Sequence, residues 1–356
     1  MIGHSIAFRL LRSEPQLKIA LLGDPMNSLM ASRAAAGMLA PFGECEEVDG
    51  FFHFCRRSLE IYPQFIEELV SVSGVPVYFS MQGSLIPSIF FRDNWDEKKR
   101  FLKEQKVEHE IWPLEKALEK VPALAKSCGE VVWVKEGQVH NRQMHDALQT
   151  ASAKLGVKVL PQNVTGFIHQ GGRITSVVTD SGELAAKKFL LASGSWSTQL
   201  ARILGVSLPL KPIKGQMCRL QVEDQHLQYT IHGKMTYIAP WRGGQGFVLG
   251  STMEDRGFDP AIEDEVIQTL IDNAAKILPC LKTAPLVESW TGLRPAAEDL
   301  MPIMGISGKY ENLYYSTGHY RNGILLTPNQ AEYMAGIILQ TNQDLIKEFD
   351  PARFDL

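Results

Sequence analysis

YYSTGHYRNGILLTP, residues 314–328, passes from a strand-like apolar start through a glycine-bounded turn into the first apolar residues of a closing helix. Ligands of doubly wound α/β folds bind outside the carboxyl ends of the strands, where a helix start offers unpaired amides. The turn is such a place, and it holds Arg321. Just upstream, WTGLRPAAEDLMPIMG (290–305) sets a second arginine, Arg294, before a proline at the end of another strand-like run. Taken alone, either reads as an ordinary surface arginine.

Two further segments share this logic. FLLASGSWS (189–197) is a buried-looking strand that ends in small residues, among them Ser193 and Gly194, followed by Trp196. SRAAAGMLAP (32–41) carries alanines and a glycine that let backbone lie close to a flat ligand, or simply start a small-residue helix. At the start of the chain, Met1-Ile2-Gly3 fits the last positions of a G-x-G-x-x-G phosphate turn, a signal that means little by itself.

Between these motifs the pattern alternates. IGHSIAFRLLRSE reads as a helix and KIALLG (18–23) as the strand after it. Residues 51–73 are helical with an expected break near Pro63, because proline removes a backbone donor. Asn141 is the expected N-cap of a helix whose Met144, Leu148, Ala151 and Leu155 share a face and which Gly156 ends. Residues 211–256 read as short strands, and Ala261 to Leu278 as an amphipathic helix. A strand-rich middle inside an α/β chain predicts one domain inserted in another. The expected bounds are residues 1–78, 140–210 and 286–356 for the outer domain and residues 79–139 and 211–285 for the inserted one.

Composition narrows the function. The 356 residues are 45% hydrophobic and 21% charged, ordinary for a folded protein. A net charge of −4 gives no electrostatic case for nucleic acid. No apolar run approaches the roughly 20 residues that cross a bilayer, and the opening lacks the organisation of a signal peptide. Five scattered cysteines without a C-x-x-C pair suit reduced thiols in the cytoplasm. The histidines show no metal-ligand spacing, so no metal is expected.

In this order, AAAGML, ECEE (44–47), ASGSWS, KGQM (214–217), YIAP (237–240), GSTM (250–253), GLRP and GHYRNGILLTP resemble the D-amino acid oxidase family of FAD-dependent amine oxidases, nearest its glycine oxidase branch. The resemblance covers nearly the whole chain. It implies an α/β fold: an FAD-binding, Rossmann-like domain of the glutathione-reductase type with an inserted antiparallel-sheet substrate domain. It implies non-covalent FAD, since no cysteine stands in the GHYRNG region where a cysteinyl flavin would attach. Met1, Ile2 and Gly3 would face the pyrophosphate, and Ala31, Ser32, Ala36, Gly37 and Met38 the pyrophosphate and flavin. Val164 would offer backbone to the adenine. Ser193, Gly194 and Trp196 would complete the cofactor wall, and His319, Tyr320, Arg321, Asn322, Gly323, Ile324 and Leu325 would line the isoalloxazine. Arg294, with Tyr237 and Arg321, would hold a substrate carboxylate, and Met253 would shape the pocket. Met235 stands where some glycine oxidases carry histidine.

The implied reaction is oxidative deamination of glycine or another small amine or D-amino acid to an imine. Dioxygen is reduced to hydrogen peroxide, and the imine serves thiamine thiazole synthesis. Expected partners are thus a small amino acid and O2, without nucleic acid or membrane, and a homo-oligomer is left open. Alternatives are a dehydrogenase that passes electrons to a quinone and a relic of the fold with an impaired FAD site. No convincing acid–base pair is legible, which suits an amine that enters unprotonated.

Two departures from the family matter. Its first strand and first two fingerprint glycines have no counterpart here, and the expectation is a start set too late, which intact mass would test. The acidic residue that usually ends the second strand is replaced by Gly23. Asp24 follows, as a substitute or as a solvated turn residue.

Overall fold

The computed structural model describes residues 1–24, 29–44, 47–90, 94–222, 228–233, 236–241, 246–342 and 345–356. Its helical layer is built on the closing helix Gly323–Leu339, which is buried nearly all round. It packs between the first helix, Ile2–Ser13, and the long helix Gly50–Ser73. The long helix runs unbroken through Pro63. Phe52, Cys55, Leu59, Tyr62, Ile66 and Leu69 keep helical spacing across the proline and are all buried, so packing outweighs the lost backbone bond. Asp49 caps the helix, its carboxylate accepting from the Phe52 amide at 2.7 Å, and Gly74 ends it at φ 69°.

The parallel strands form two separate pieces. Ala20–Leu22 pairs with Lys158–Leu160, and Phe189–Leu191 pairs with Leu313–Thr317, which Ile303–Ile306 flanks antiparallel. Gly3 stands between the two pieces, where a Cβ would lie 3.4 Å from Leu21 and 3.7 Å from Ala192.

The second layer is an eight-stranded sheet, antiparallel except where Thr230–His232 meets Ser84–Pro87. Its longest pairing joins Leu210–Leu220 to Leu286–Ala297 over the full length of both strands. The sheet therefore takes up the WTGLRP strand. Helix Asp264–Ala275, shorter than the sequence pattern, covers this sheet with Ile267, Leu270, Ile271 and Ala274.

At the helix expected from Asn141, the cap is His140, whose ring nitrogen accepts from the Gln143 amide at 3.3 Å. Asn141 is instead the first helical residue. Its amide reaches across to the carbonyls of Ser32 (2.8 Å) and Arg33 (3.0 Å), so it braces the SRAAAG segment.

Candidate cofactor channel and acid-binding chamber

Four motifs from distant parts of the chain meet at the end of the strand Leu286–Ala297. The Leu293 amide bonds the Leu29 carbonyl at 3.0 Å, which leads the segment Ala31–Ala34 onto the strand. Gly292 lets it come close, because a Cβ there would stand 2.4 Å from that of Ala34. Ser195 of the ASGSW turn donates to the Leu293 carbonyl at 2.9 Å, and Thr317 donates to the Gly194 carbonyl at 3.2 Å. The Tyr320 amide bonds the Pro295 carbonyl at 2.9 Å.

A cavity of about 2240 Å³ opens at this junction. Its wall includes Met1, Ile2, Gly3, Asp24, Val164, Ala31, Ser32, Ala36, Gly37 and Met38. It also includes Ser193, Gly194, Trp196, His319, Tyr320, Arg321, Asn322, Gly323 and Ile324, together with Arg294, Tyr237 and Met253. Leu325 is not on it: the side chain is buried in the core and its carbonyl accepts from Ser58 at 2.6 Å. On a helix, the residue after a wall residue turns roughly 100° away, which accounts for Leu325. Met235 lies outside the described residues. Met253 is 62% exposed with its sulfur 3.2 Å from the Tyr320 hydroxyl, so it sits at the mouth.

The chamber around Arg294 is cut into the face of the eight-stranded sheet by two glycines. A Cβ on Gly215 would lie 2.4–2.6 Å from the Arg294 guanidinium, and one on Gly250 would lie 2.4 Å from the Tyr237 hydroxyl. Arg294 Nη1 donates to the Thr252 carbonyl at 3.0 Å and Nη2 to the Ser251 hydroxyl at 2.5 Å. A guanidinium carries five N–H donors, so these two bonds orient it without exhausting it. Behind it, the backbone N–H of Gln216 donates to Thr252 Oγ1 at 2.8 Å, and the fully buried Lys214 is paired with Asp259 at 2.8 Å. KGQM and GSTM were visible as motifs, but nothing local shows that their glycines make room for an arginine and a tyrosine.

The channel suits a large polar, ring-bearing cofactor. His319 Nε2 is buried without a hydrogen-bond partner, a cost that a ligand acceptor or donor on the wall would remove. Burial pushes this imidazole down to about 4, and those of His145 and His4, also on the wall, down to about 2 and about 3, with neighbouring positive charge adding to the latter two. All three are neutral near pH 7. Among the described residues no group of three or more side chains is placed to bind a metal, and no helix is long and apolar enough to cross a membrane.

Parallel strands ending at such a channel, beside a sheet that carries an arginine-lined chamber, mark a dinucleotide-binding α/β fold joined to a chamber for a small acid. The comparison with known proteins narrows this. The chain belongs to the DAO family of FAD-dependent oxidoreductases, whose model matches residues 1–337. It is 34% identical over 333 residues to the bifunctional protein ThiO/ThiG of Trichormus variabilis, covering 91% of this chain and 50% of the relative. The chain thus spans about half the length of that relative. It is 26% identical over 353 residues to the glycine oxidase of Bacillus subtilis, covering 98% of this chain and 94% of the relative. The crystal structure of glycine oxidase from Geobacillus kaustophilus superposes with a TM-score of 0.91 at 26% identity, covering 98% of this chain and 95% of that one.

Proposed function

We propose that this chain oxidises the amine of glycine or another small amino acid to an imine, with dioxygen as the terminal acceptor and hydrogen peroxide as product. The observation that carries the reading is the seating of Arg294 over Gly215 beside Tyr237 over Gly250, inside the cavity that suits the cofactor. A guanidinium meets a carboxylate through two parallel hydrogen bonds, which fixes the direction of the Cα–H as well as affinity. Tyr237 adds a hydroxyl donor to the same group, and Arg321, exposed at the wall, adds positive charge. Ser251 and Thr252 keep the guanidinium from rotating. The segments around Ala31–Met38, Ser193–Trp196 and His319–Ile324 would hold FAD, which when bound supplies a two-electron acceptor that dioxygen reoxidises.

The high likeness to glycine oxidases supports a small amine as substrate, and the likeness to ThiO/ThiG supports use of the imine in thiamine thiazole synthesis. The test is peroxide release by FAD-loaded protein offered glycine, sarcosine, D-alanine and, as a control, acetate. Release with at least one amine and none with acetate is expected. Flavin that no amine reduces, aerobically or with a dye acceptor, would overturn the reading.

A further inference from the structure

No acid–base pair is legible along the chain, yet the fold assembles one at the chamber. Glu136 is fully buried beside the strand Gly137–Val139. Its Oε1 accepts from the amides of Phe42 and Gly43, both at 2.7 Å, and its Oε2 lies 3.3 Å from His232 Nε2. Gly43 seats the ring, since a Cβ there would stand 2.7 Å from the same nitrogen.

Strand register fixes where His232 points. It stands opposite Tyr237, Tyr237 opposite Gly250, and Gly250 opposite Met217, a single row across four strands. Residues directly opposite leave the same face of a sheet, and neighbouring strands lie about 4.8 Å apart. The His232 backbone is therefore one strand from that of Tyr237, whose hydroxyl lies over Gly250 on the strand beyond, and both residues belong to the cavity wall. Among the described residues, the titratable groups that face the imidazole are Glu136 and, on the opposite strand, Tyr237, while Arg294 stands further along the same cavity wall. Lys98 of helix Trp95–Glu104 lies behind Gly43, its ammonium donating to the Gly43 carbonyl at 3.1 Å.

With Nε2–H directed at Glu136, the ring's Nδ1 is the acceptor. A free amino acid near neutral pH is an ammonium zwitterion, and its nitrogen has no electron pair to offer while the Cα hydride leaves. We propose that His232, oriented by Glu136, is the catalytic residue that takes this proton. The ammonium N–H bond breaks with its electron pair remaining on the amine nitrogen, and a new N–H bond forms at His232 Nδ1. The positive charge moves from the substrate to an imidazolium beside the Glu136 carboxylate, and the proton then passes to water. Glu136 is the positioning residue. The inference rests on the amine-oxidation reading.

The test follows anaerobic flavin reduction by glycine in the FAD-loaded protein from pH 6 to 10. Removing a general base costs typically 10²–10⁴-fold, so H232Q should lose about 100-fold near pH 7. The variant then needs amine that is already neutral. Its rate should climb about tenfold per pH unit and meet the wild type where the substrate's own amine is deprotonated. In E136Q the acid limb should move to lower pH, and so should the His232 imidazole titration, followed by NMR of histidine-labelled protein without substrate. H232Q with a wild-type profile, or slowed by one factor at every pH, overturns the proposal. If H232Q does not fold, an imidazole titration unchanged in E136Q overturns it just as well. Wild-type flavin that no amine reduces at any pH would sink the amine reading itself, and this inference with it.

Discussion

Replacing Gly215 by alanine separates the geometry of the chamber from the stability of the fold. The new methyl would stand 2.4 Å from both terminal nitrogens of Arg294 and 2.6 Å from its central carbon. Unstrained contacts lie near 3.5 Å, so the guanidinium must retreat by about 1 Å. The displaced atoms are the far end of a flexible side chain, and Gly215 itself is not in the left-handed region, so folding should hardly notice. Gly→Ala at a compatible site commonly stabilises by about 0.4–1 kcal/mol through the unfolded chain, and Tm should hold or rise slightly. Catalysis should notice, because a misplacement of about 1 Å costs on the order of 100-fold, or about 2.7 kcal/mol. Most of the loss should fall on KM, since the clamp holds substrate and transition state alike. The assay is peroxide release against glycine concentration, with the flavin spectrum as the control for an intact cofactor site. In a double-mutant cycle, R294K shortens the head group away from the methyl, so G215A/R294K should be little worse than R294K alone. Wild-type kcat/KM in G215A, or costs that simply add in the double variant, would refute the reasoning.

G250A places its methyl 2.4 Å from the Tyr237 hydroxyl and should match Y237F in a modest loss of about tenfold, since each charge-assisted bond contributes roughly 1.5–3 kcal/mol before compensation; steady-state kinetics of the two side by side decide it. G37A is the opposite case. Its Cβ would lie 1.8 Å from the Val139 carbonyl at a backbone φ of 77°, so it should lower Tm and lose FAD together. Burial holds His145 down to about 2 and His319 down to about 4, whereas in the unfolded chain both titrate near 6.5. The unfolded state therefore binds more protons between those values, so stability is full above about pH 6.5 and is lost as pH falls. Urea midpoints at pH 7.5 and 5 should show the drop, and H145Q should flatten it. Free FAD at about 100 times its Kd should add roughly 2.7 kcal/mol of stability, read as a concentration-dependent Tm.

What was legible in the sequence is what is local. A strand that ends in small residues and turns into a helix declares itself within a dozen positions, and ASGSWS, SRAAAGML and GHYRNG do meet on the wall of one cavity. Local rules also misled in places. Pro63 suggested a break that the buried row from Phe52 to Leu69 overrides. Asn141 suggested a cap, but its side chain serves the SRAAAG segment while His140 caps the helix. The chamber was legible only as a set of names. Nothing near Gly215 points to Arg294, and Glu136 and His232 are 96 residues apart in sequence.

The reason is strand register. Arg294 stands opposite Ile213, which places Gly215 diagonally beside it on the same face, and the row from Met217 through Gly250 and Tyr237 to His232 continues that face. Side chains alternate between faces, so a slip of one residue in any of these pairings would turn the arginine, the tyrosine or the histidine to the opposite side. The eleven-residue strand Leu210–Leu220, paired along its whole length on one edge and from Met217 to Leu220 on the other, opposes such a slip. The chemistry of the chamber thus depends on hydrogen bonds that none of its functional side chains makes. Substitutions that loosen the pairing of Leu210–Leu220 should disturb the proposed acid clamp and, because Leu29, Ser195 and Tyr320 are hydrogen-bonded to Leu293 and Pro295 of its partner strand, the cavity wall with it.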